Sequence, residues 1–354
     1  MIADLAPTDR AAAGAAPAAD RQPPDPVIET RGLTKRYGSH VAVDGLDLAI
    51  MPQEIFGILG PNGAGKTTTL EMIEGLRPPD AGTVRVAGFD PTAQGDEVRR
   101  LIGVQLQTTA LFDYLTAAEL VELFAGLYDV DGSPARVAQL IGMVGLEEKR
   151  HSRVDELSGG QRQRLAVAIA LVNDPRIVFL DEPTTGLDPA ARRSLWQTIR
   201  EIRAGGATVV LTTHYMEEAE TLCDRVAIME GGRIITCDPP AELIRKLGAD
   251  ATIRTTVVRG TVPAEAVRGL PGVLAVSEEP RDDGTALRIQ TADAQGTLVG
   301  LLELATASDA TLSGLAVNQA SLEDVYLGIT GRSYESGADE AAPKEEPKGR
   351  RRRR

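Results

Sequence analysis

The segment Ile55-Phe56-Gly57-Ile58-Leu59-Gly60-Pro61-Asn62-Gly63-Ala64-Gly65-Lys66-Thr67-Thr68 joins a short apolar run to a glycine-rich turn and then to the opening of a helix. Its first five residues read as a buried strand, and Lys66 to Glu74 reads as a helix. Glycines in the turn let backbone N–H groups close around phosphate oxygens, and the helix N-terminus adds a positive partial charge. Lys66 is placed to reach the β and γ oxygens of a nucleotide, and the Thr67 hydroxyl to meet Mg2+. A turn carrying a surface lysine is the plainer reading, but a strand before and a helix after are the context that a phosphate-binding loop needs.

Further along, Ile177-Val178-Phe179-Leu180 is a second apolar run, and it ends in Asp181-Glu182-Pro183. A carboxylate pair at the C-terminal edge of a strand suits a phosphoryl-transfer site. Asp181 would hold Mg2+ through its hydration shell, and Glu182 would orient and deprotonate the attacking water. Thr208-Val209-Val210-Leu211-Thr212 is a third buried strand. From Val27-Ile28-Glu29-Thr30 to about Gly248 such strands alternate with helical stretches, the pattern of an α/β layered core. Between about 108 and 160 the pattern is mainly helical, with apolar residues at Leu120, Leu123, Phe124 and Leu127, then Val137, Leu140, Ile141 and Val144. This reads as a helical insertion in the core.

Beyond Gly248 the periodicity changes. Thr252–Val258, Gly272–Ser277 and Ala286–Gln290 read as strands and Leu298–Leu304 as a helix, which makes residues 249–330 a small accessory domain. Residues 1–26 are rich in Ala and Pro and are expected to be disordered, as is the polar stretch 331–354, which ends in the run Arg350–Arg354.

The chain of 354 residues carries a net charge of −13, which argues against a general nucleic-acid binder. Its two cysteines, Cys223 and Cys237, form no CxxC pair and fit a reducing compartment. No apolar run approaches the ~20 residues that a membrane helix needs, and no signal peptide is expected at the N-terminus. A membrane role would therefore come through a partner.

Leu157-Ser158-Gly159-Gly160-Gln161-Arg162-Gln163-Arg164 lies shortly before the Asp181-Glu182 strand, with Ser158 placed to cap a helix from about Gln161 to Leu171. Together with the phosphate loop and the carboxylate pair, it resembles the signature motif of the ATP-binding cassette (ABC) family. The resemblance covers about 27–248 and implies an α/β P-loop NTPase core of ABC type with a helical subdomain, followed here by a small C-terminal α+β domain. It implies ATP and Mg2+ as cofactors. Gly60, Pro61, Asn62, Gly63, Ala64, Gly65, Lys66, Thr67 and Thr68 would surround the phosphates, with Thr67 and Asp181 at the metal. Ser158, Gly159, Gly160 and Gln161 would contact the γ-phosphate held by the other protomer.

Further segments match the family in order. Tyr37 resembles the aromatic residue that stacks on adenine. Gln107 resembles the glutamine that links the metal and water to the membrane partner, though Gln105 stands close by. Gly186-Leu187-Asp188 resembles the loop by which each protomer touches the other's site. His214 resembles the switch histidine at the γ-phosphate. Lys66, Gln107, Glu182 and His214 are thus the expected catalytic set, and the intact Glu182 implies active hydrolysis.

The family resemblance implies a homodimer or heterodimer of ATPase subunits seated on an integral-membrane permease at the cytoplasmic face of the cell membrane. Ser321-Leu322-Glu323-Asp324-Val325-Tyr326-Leu327 and His214-Tyr215-Met216-Glu217-Glu218-Ala219-Glu220 resemble segments of drug- and polysaccharide-export cassettes of the daunorubicin-resistance type. Leu322, Val325 and Tyr326 would pack inward on a helix. An importer ATPase, whose accessory domain more often builds a small barrel, and a non-transport cassette ATPase of translation or DNA repair are the alternatives. The Arg350–Arg354 run would make weak contact with anionic lipid, or is simply solvated.

Overall fold

The computed structural model describes residues 25–105 and 111–330. The expectations for 1–24, for Gln107 and for 331–354 lie outside the described residues.

The chain opens with strands β1 (Ile28–Tyr37), β2 (His40–Ile50) and β3 (Ile55–Leu59). Helix α1 (Lys66–Ile73), β4 (Ala81–Val86), α2 (Gly95–Leu101) and β5 (Ile102–Gln105) follow. The helical insertion holds α3 (Ala117–Tyr128) and α4 (Pro134–Met143) and leads into α5 (Gly159–Ala170). Then come β6 (Ile177–Asp181), α6 (Pro189–Ala204), β7 (Thr208–Thr213), α7 (Met216–Leu222), β8 (Arg225–Glu230), β9 (Arg233–Asp238) and α8 (Pro240–Lys246). The last part comprises β10 (Ala251–Arg259), α9 (Ala264–Arg268), β11 (Val273–Arg281), β12 (Gly284–Thr291), α10 (Ala294–Ala307), β13 (Thr311–Gln319) and α11 (Leu322–Thr330).

A six-stranded sheet in the order β5-β6-β7-β3-β8-β9 forms the centre. All its neighbours pair in parallel except β8 and β9. Its inner strands are apolar without alternation because both faces are covered. Leu59, Val178, Leu180, Val209 and Leu211 face one cluster, shared with the helices. Phe56, Ile58, Ile177, Phe179 and Val210 face a second, shared with the three-stranded antiparallel sheet β2-β1-β4. That antiparallel sheet was not distinguished in the sequence.

The insertion is helical as expected, and Leu120, Val137, Leu140, Ile141 and Val144 are buried with Phe124 packed against them, but two of the expected leucines are not. Ala117, Ala118, Leu120, Val121 and Ala125 are buried, whereas Leu123 is 38% and Leu127 70% exposed. The capping box Thr116/Glu119 fixes the start of α3, and the small alanines let it lie close on α4 and α5. This rotates the larger leucines outward. Helix α5 begins two residues earlier than expected, because the Ser158 cap makes Gly159 its first residue.

Residues 251–319 form an open four-stranded antiparallel sheet, β11-β12-β10-β13, with its own core of Ile253, Val257, Leu287, Ile289 and Leu301. Strand β13 adds a fourth strand to the three read from the sequence. Helix α11 then returns to the main body. Leu322, Val325 and Tyr326 join the large cluster beside α7 and α8, while Asp324 and Glu323 pair with Arg288 on β12.

Candidate active site

The C-terminal ends of β3, β6 and β7 lie side by side. Leu59 pairs with Thr213 and Asp181 with Thr212, so the segments Gly60–Lys66, Asp181–Glu182 and Thr213–His214 leave the sheet at one edge. Open parallel sheets place ligands at this edge. Gly60 N–H donates to Thr213 O at 3.3 Å and ties the loop to β7.

Two glycines of the loop are required by their surroundings. A Cβ on Gly60 would lie 2.3 Å from Met229 O. Gly65 caps α1 with φ at +103°, and a Cβ there would meet Ala42 O at 2.3 Å. Lys66, only 5% exposed, folds back over the turn and donates to Gly60 O at 2.9 Å and Pro61 O at 3.2 Å. Its Nζ also lies 3.3 Å from Glu182 Oε1.

Glu182 is the meeting point of the three strand ends. His214 Nδ1 lies 3.1 Å from Oε2, and Thr185 Oγ1 donates to the same oxygen at 3.2 Å. The Glu182 N–H donates to Thr212 Oγ1 at 3.0 Å, and the backbone sits at φ +47°, the left-handed region that a glutamate rarely adopts. Burial pushes the carboxyl pKa up, but His214 and Lys66 together outweigh it and hold the group down at about 2.

Asp181 is buried, and burial raises its pKa against the opposing hydroxyls of Thr212 and Thr67. Thr67 Oγ1 donates to Asp181 Oδ1 at 3.3 Å, and Thr212 Oγ1 donates to the same oxygen. A hydroxyl and a buried carboxylate within reach of one ion are the hard oxygen donors that Mg2+ takes, so Thr67 and Asp181 fit the expected metal.

The remaining expected residues stand on other elements. Tyr37 ends β1, is 42% exposed and has the Arg77 guanidinium 5.4 Å from its ring centroid. Ser158 and Gln161 form a reciprocal capping box: Gln161 N–H donates to Ser158 Oγ at 3.2 Å, and Ser158 N–H to Gln161 Oε1 at 2.8 Å. Asp188 caps α6, accepting from Ala190 and Ala191 N–H groups that lower its pKa. Gln105 ends β5 and is buried.

Sequence reading missed Thr212, whose hydroxyl serves both Asp181 and Glu182, since a threonine in a strand gives no signal of its own. It also missed Glu74 at the end of α1. Burial and the negative charges of Asp181 and Glu71 push its carboxyl up to about 8.

The family model described as ABC transporter matches residues 43–185. The chain is 39% identical over 325 residues to the daunorubicin/doxorubicin resistance ATP-binding protein DrrA of Streptomyces peucetius, covering 91% of this chain and 98% of that protein. This chain belongs to the ABC transporter family. It is 40% identical to the Nod factor export ATP-binding protein I of Ralstonia nicotianae, over 87% of this chain and 94% of that one. Among solved structures it resembles the dimeric post-hydrolysis state of the ATP-binding cassette MJ0796 bound to ADP and Pi. There the identity is 30% and the TM-score 0.55, covering 60% of this chain and 98% of that chain.

Proposed function

We propose that this chain is the ATP-hydrolysing subunit of an ABC exporter and that it works as a dimer on a separate membrane subunit. The convergence of Lys66, Asp181, Glu182 and His214 at one sheet edge carries the reading. The nucleotide-binding part is residues 27–248, and 249–330 is an accessory domain.

In this reading the phosphates of ATP lie in the loop Gly60–Thr68 against backbone N–H groups that follow Pro61, with adenine on Tyr37. Thr67 and Asp181 would hold Mg2+, which when bound would supply positive charge against the phosphates. Lys66 swings from Glu182 to the phosphates. Once that cation has left, the Glu182 carboxylate becomes a better proton acceptor. Glu182 then orients a water whose oxygen attacks the γ-phosphorus. The bond to the β-phosphate oxygen breaks, ADP departs, and the water's proton passes to Glu182. His214 stays beside Glu182 and steadies the γ-phosphate. Ser158, Gly159, Gly160, Gln161 and Asp188 of the second protomer complete the site.

Export is supported by the functions of the two relatives, daunorubicin/doxorubicin resistance and Nod factor export. The open sheet of the accessory part also departs from the small barrel expected of an importer. Among the described residues no helix is long and apolar enough to cross a membrane, which leaves translocation to a partner. The Arg350–Arg354 run adds weak attraction to anionic lipid, about 1 kcal/mol per Arg near the surface.

The test is Mg2+-dependent ATP hydrolysis by the purified chain, and co-purification with a polytopic membrane protein. Absence of both overturns the reading. Loss of binding to anionic liposomes on truncation after Pro347 checks the tail.

A further inference from the structure

Helix α6 starts at Asp188 and α7 starts two residues after His214. On α6, Arg192, Trp196 and Arg200 recur every fourth position and therefore share one face. Each reaches a different point on α7 or the residue before it. The Arg192 guanidinium lies 4.4 Å from the Tyr215 ring centroid. Trp196 Nε1 donates to Glu218 Oε1 at 2.9 Å, and Arg200 Nη2 donates to Thr221 O at 3.2 Å.

The middle contact differs in kind from the outer two. Trp196 is 5% and Glu218 0% exposed, so water cannot replace their bond, whereas Arg200 is bonded at an exposed site. A buried carboxyl is costly where an apolar side chain would pack as well. Burial raises the Glu218 pKa, and the hydroxyls of Thr213 and Thr184 act against it alongside the Trp196 indole. Thr213 immediately precedes His214, and Thr184 is two residues after Glu182. One buried carboxyl thus joins the helix that Asp188 caps to the helix that begins just after His214.

We propose that Glu218, held by Trp196, is a positioning residue: it locks α7 to α6 and so sets His214 against Glu182 and Asp188. The proposal rests on the hydrolytic reading of His214 and Glu182. Its leverage comes from the 3.1 Å contact between His214 Nδ1 and Glu182 Oε2. A displacement of about 1 Å at α7 removes that contact, and misplacement of this size costs on the order of a hundredfold in rate.

The experiment compares the full-length chain with Glu218→Ala, Glu218→Gln and Trp196→Phe in Mg2+-ATPase kinetics, with thermal melts as the folding control. Glu218→Ala and Trp196→Phe are expected to lower kcat about tenfold or more while KM for ATP stays within about twofold. Glu218→Gln keeps the acceptor oxygen and is expected to restore most of kcat. Trp196 is the sole tryptophan, so its emission is a direct reporter of the lock: removing its buried acceptor in Glu218→Ala is expected to shift it. Should Glu218→Ala not fold, Trp196→Phe decides the matter. A folded Trp196→Phe with unaltered kcat overturns the proposal. If the wild-type chain hydrolyses ATP and Trp196→Phe matches it, only this inference fails. If the wild type hydrolyses none, the functional reading falls with it.

Discussion

Lys66 Nζ lies 3.3 Å from Glu182 Oε1, so the cation expected to grip the nucleotide and the carboxylate expected to activate water are partners of each other. Both are nearly buried, and a bound phosphate must compete with Glu182 for Lys66. Binding and activation of the base are thereby linked through one ammonium group.

Removing the carboxylate charge separates the two roles. Glu182→Gln is expected to bind Mg2+-ATP at least as tightly as wild type, because Lys66 loses its competitor. Turnover is expected to fall about a hundredfold or more, the usual loss with a general base. Full activity in this variant refutes the assignment of Glu182.

Lys66→Ala removes the cation and leaves the Glu182 carboxylate facing the phosphates without the ammonium that lies 3.3 Å from it. Nucleotide binding or turnover is expected to be lost, as measured by ATP titration and phosphate release. Normal rates discredit the phosphate-loop reading.

Glu74 makes a pH prediction of opposite sign to Glu182. Its folded pKa of about 8 lies above the ordinary carboxyl value, so the folded state binds the extra proton. Stability is therefore full at low pH and declines as pH rises from the ordinary carboxyl range toward 8, by about 1.4 kcal/mol per unit of pKa difference at most. Glu74→Gln is expected to flatten melting temperature against pH over that window. Glu182, held down at about 2, stabilises the fold above the ordinary carboxyl range and loses that contribution only as pH falls toward 2. A wild-type melting curve unchanged between pH 5 and pH 8 contradicts the Glu74 account.

Asp324 is 1% exposed and receives two bonds from Arg288, at 3.0 and 2.8 Å. Asp324→Ala removes the buried partner of Arg288 but leaves Glu323 at 2.7 Å, so the expected loss is about 1.5–3 kcal/mol. Denaturant unfolding checks this. A loss under 1 kcal/mol would mean that α11 is held by Leu322, Val325, Tyr326 and the Glu323 ion pairs without Asp324.

The parts of this molecule that were legible in sequence are those where one local rule suffices. Ile55–Leu59 and Ile177–Leu180 are apolar throughout because both sheet faces are covered, and Gly65 announces a backbone that side chains cannot adopt. The Ser158 cap was readable because its partner Gln161 stands three residues on. What stayed hidden depends on distant pairing. Leu123 and Leu127 look like core residues until the small alanines of α3 set the packing face. Thr212, Glu218 and Trp196 acquire roles only when β6 meets β7 and α6 meets α7. Physics alone left open the proposal that resemblance supplied: that the loop of one protomer meets the Ser158 helix of another.

That pairing is tested by light scattering of Glu182→Gln with Mg2+-ATP, alone and with Ser158→Arg added. The expected result is a dimer holding one ATP per protomer, which dissociates to ATP-bound monomers when Ser158 is replaced. A monomer in the first case, or an undisturbed dimer in the second, contradicts the shared site.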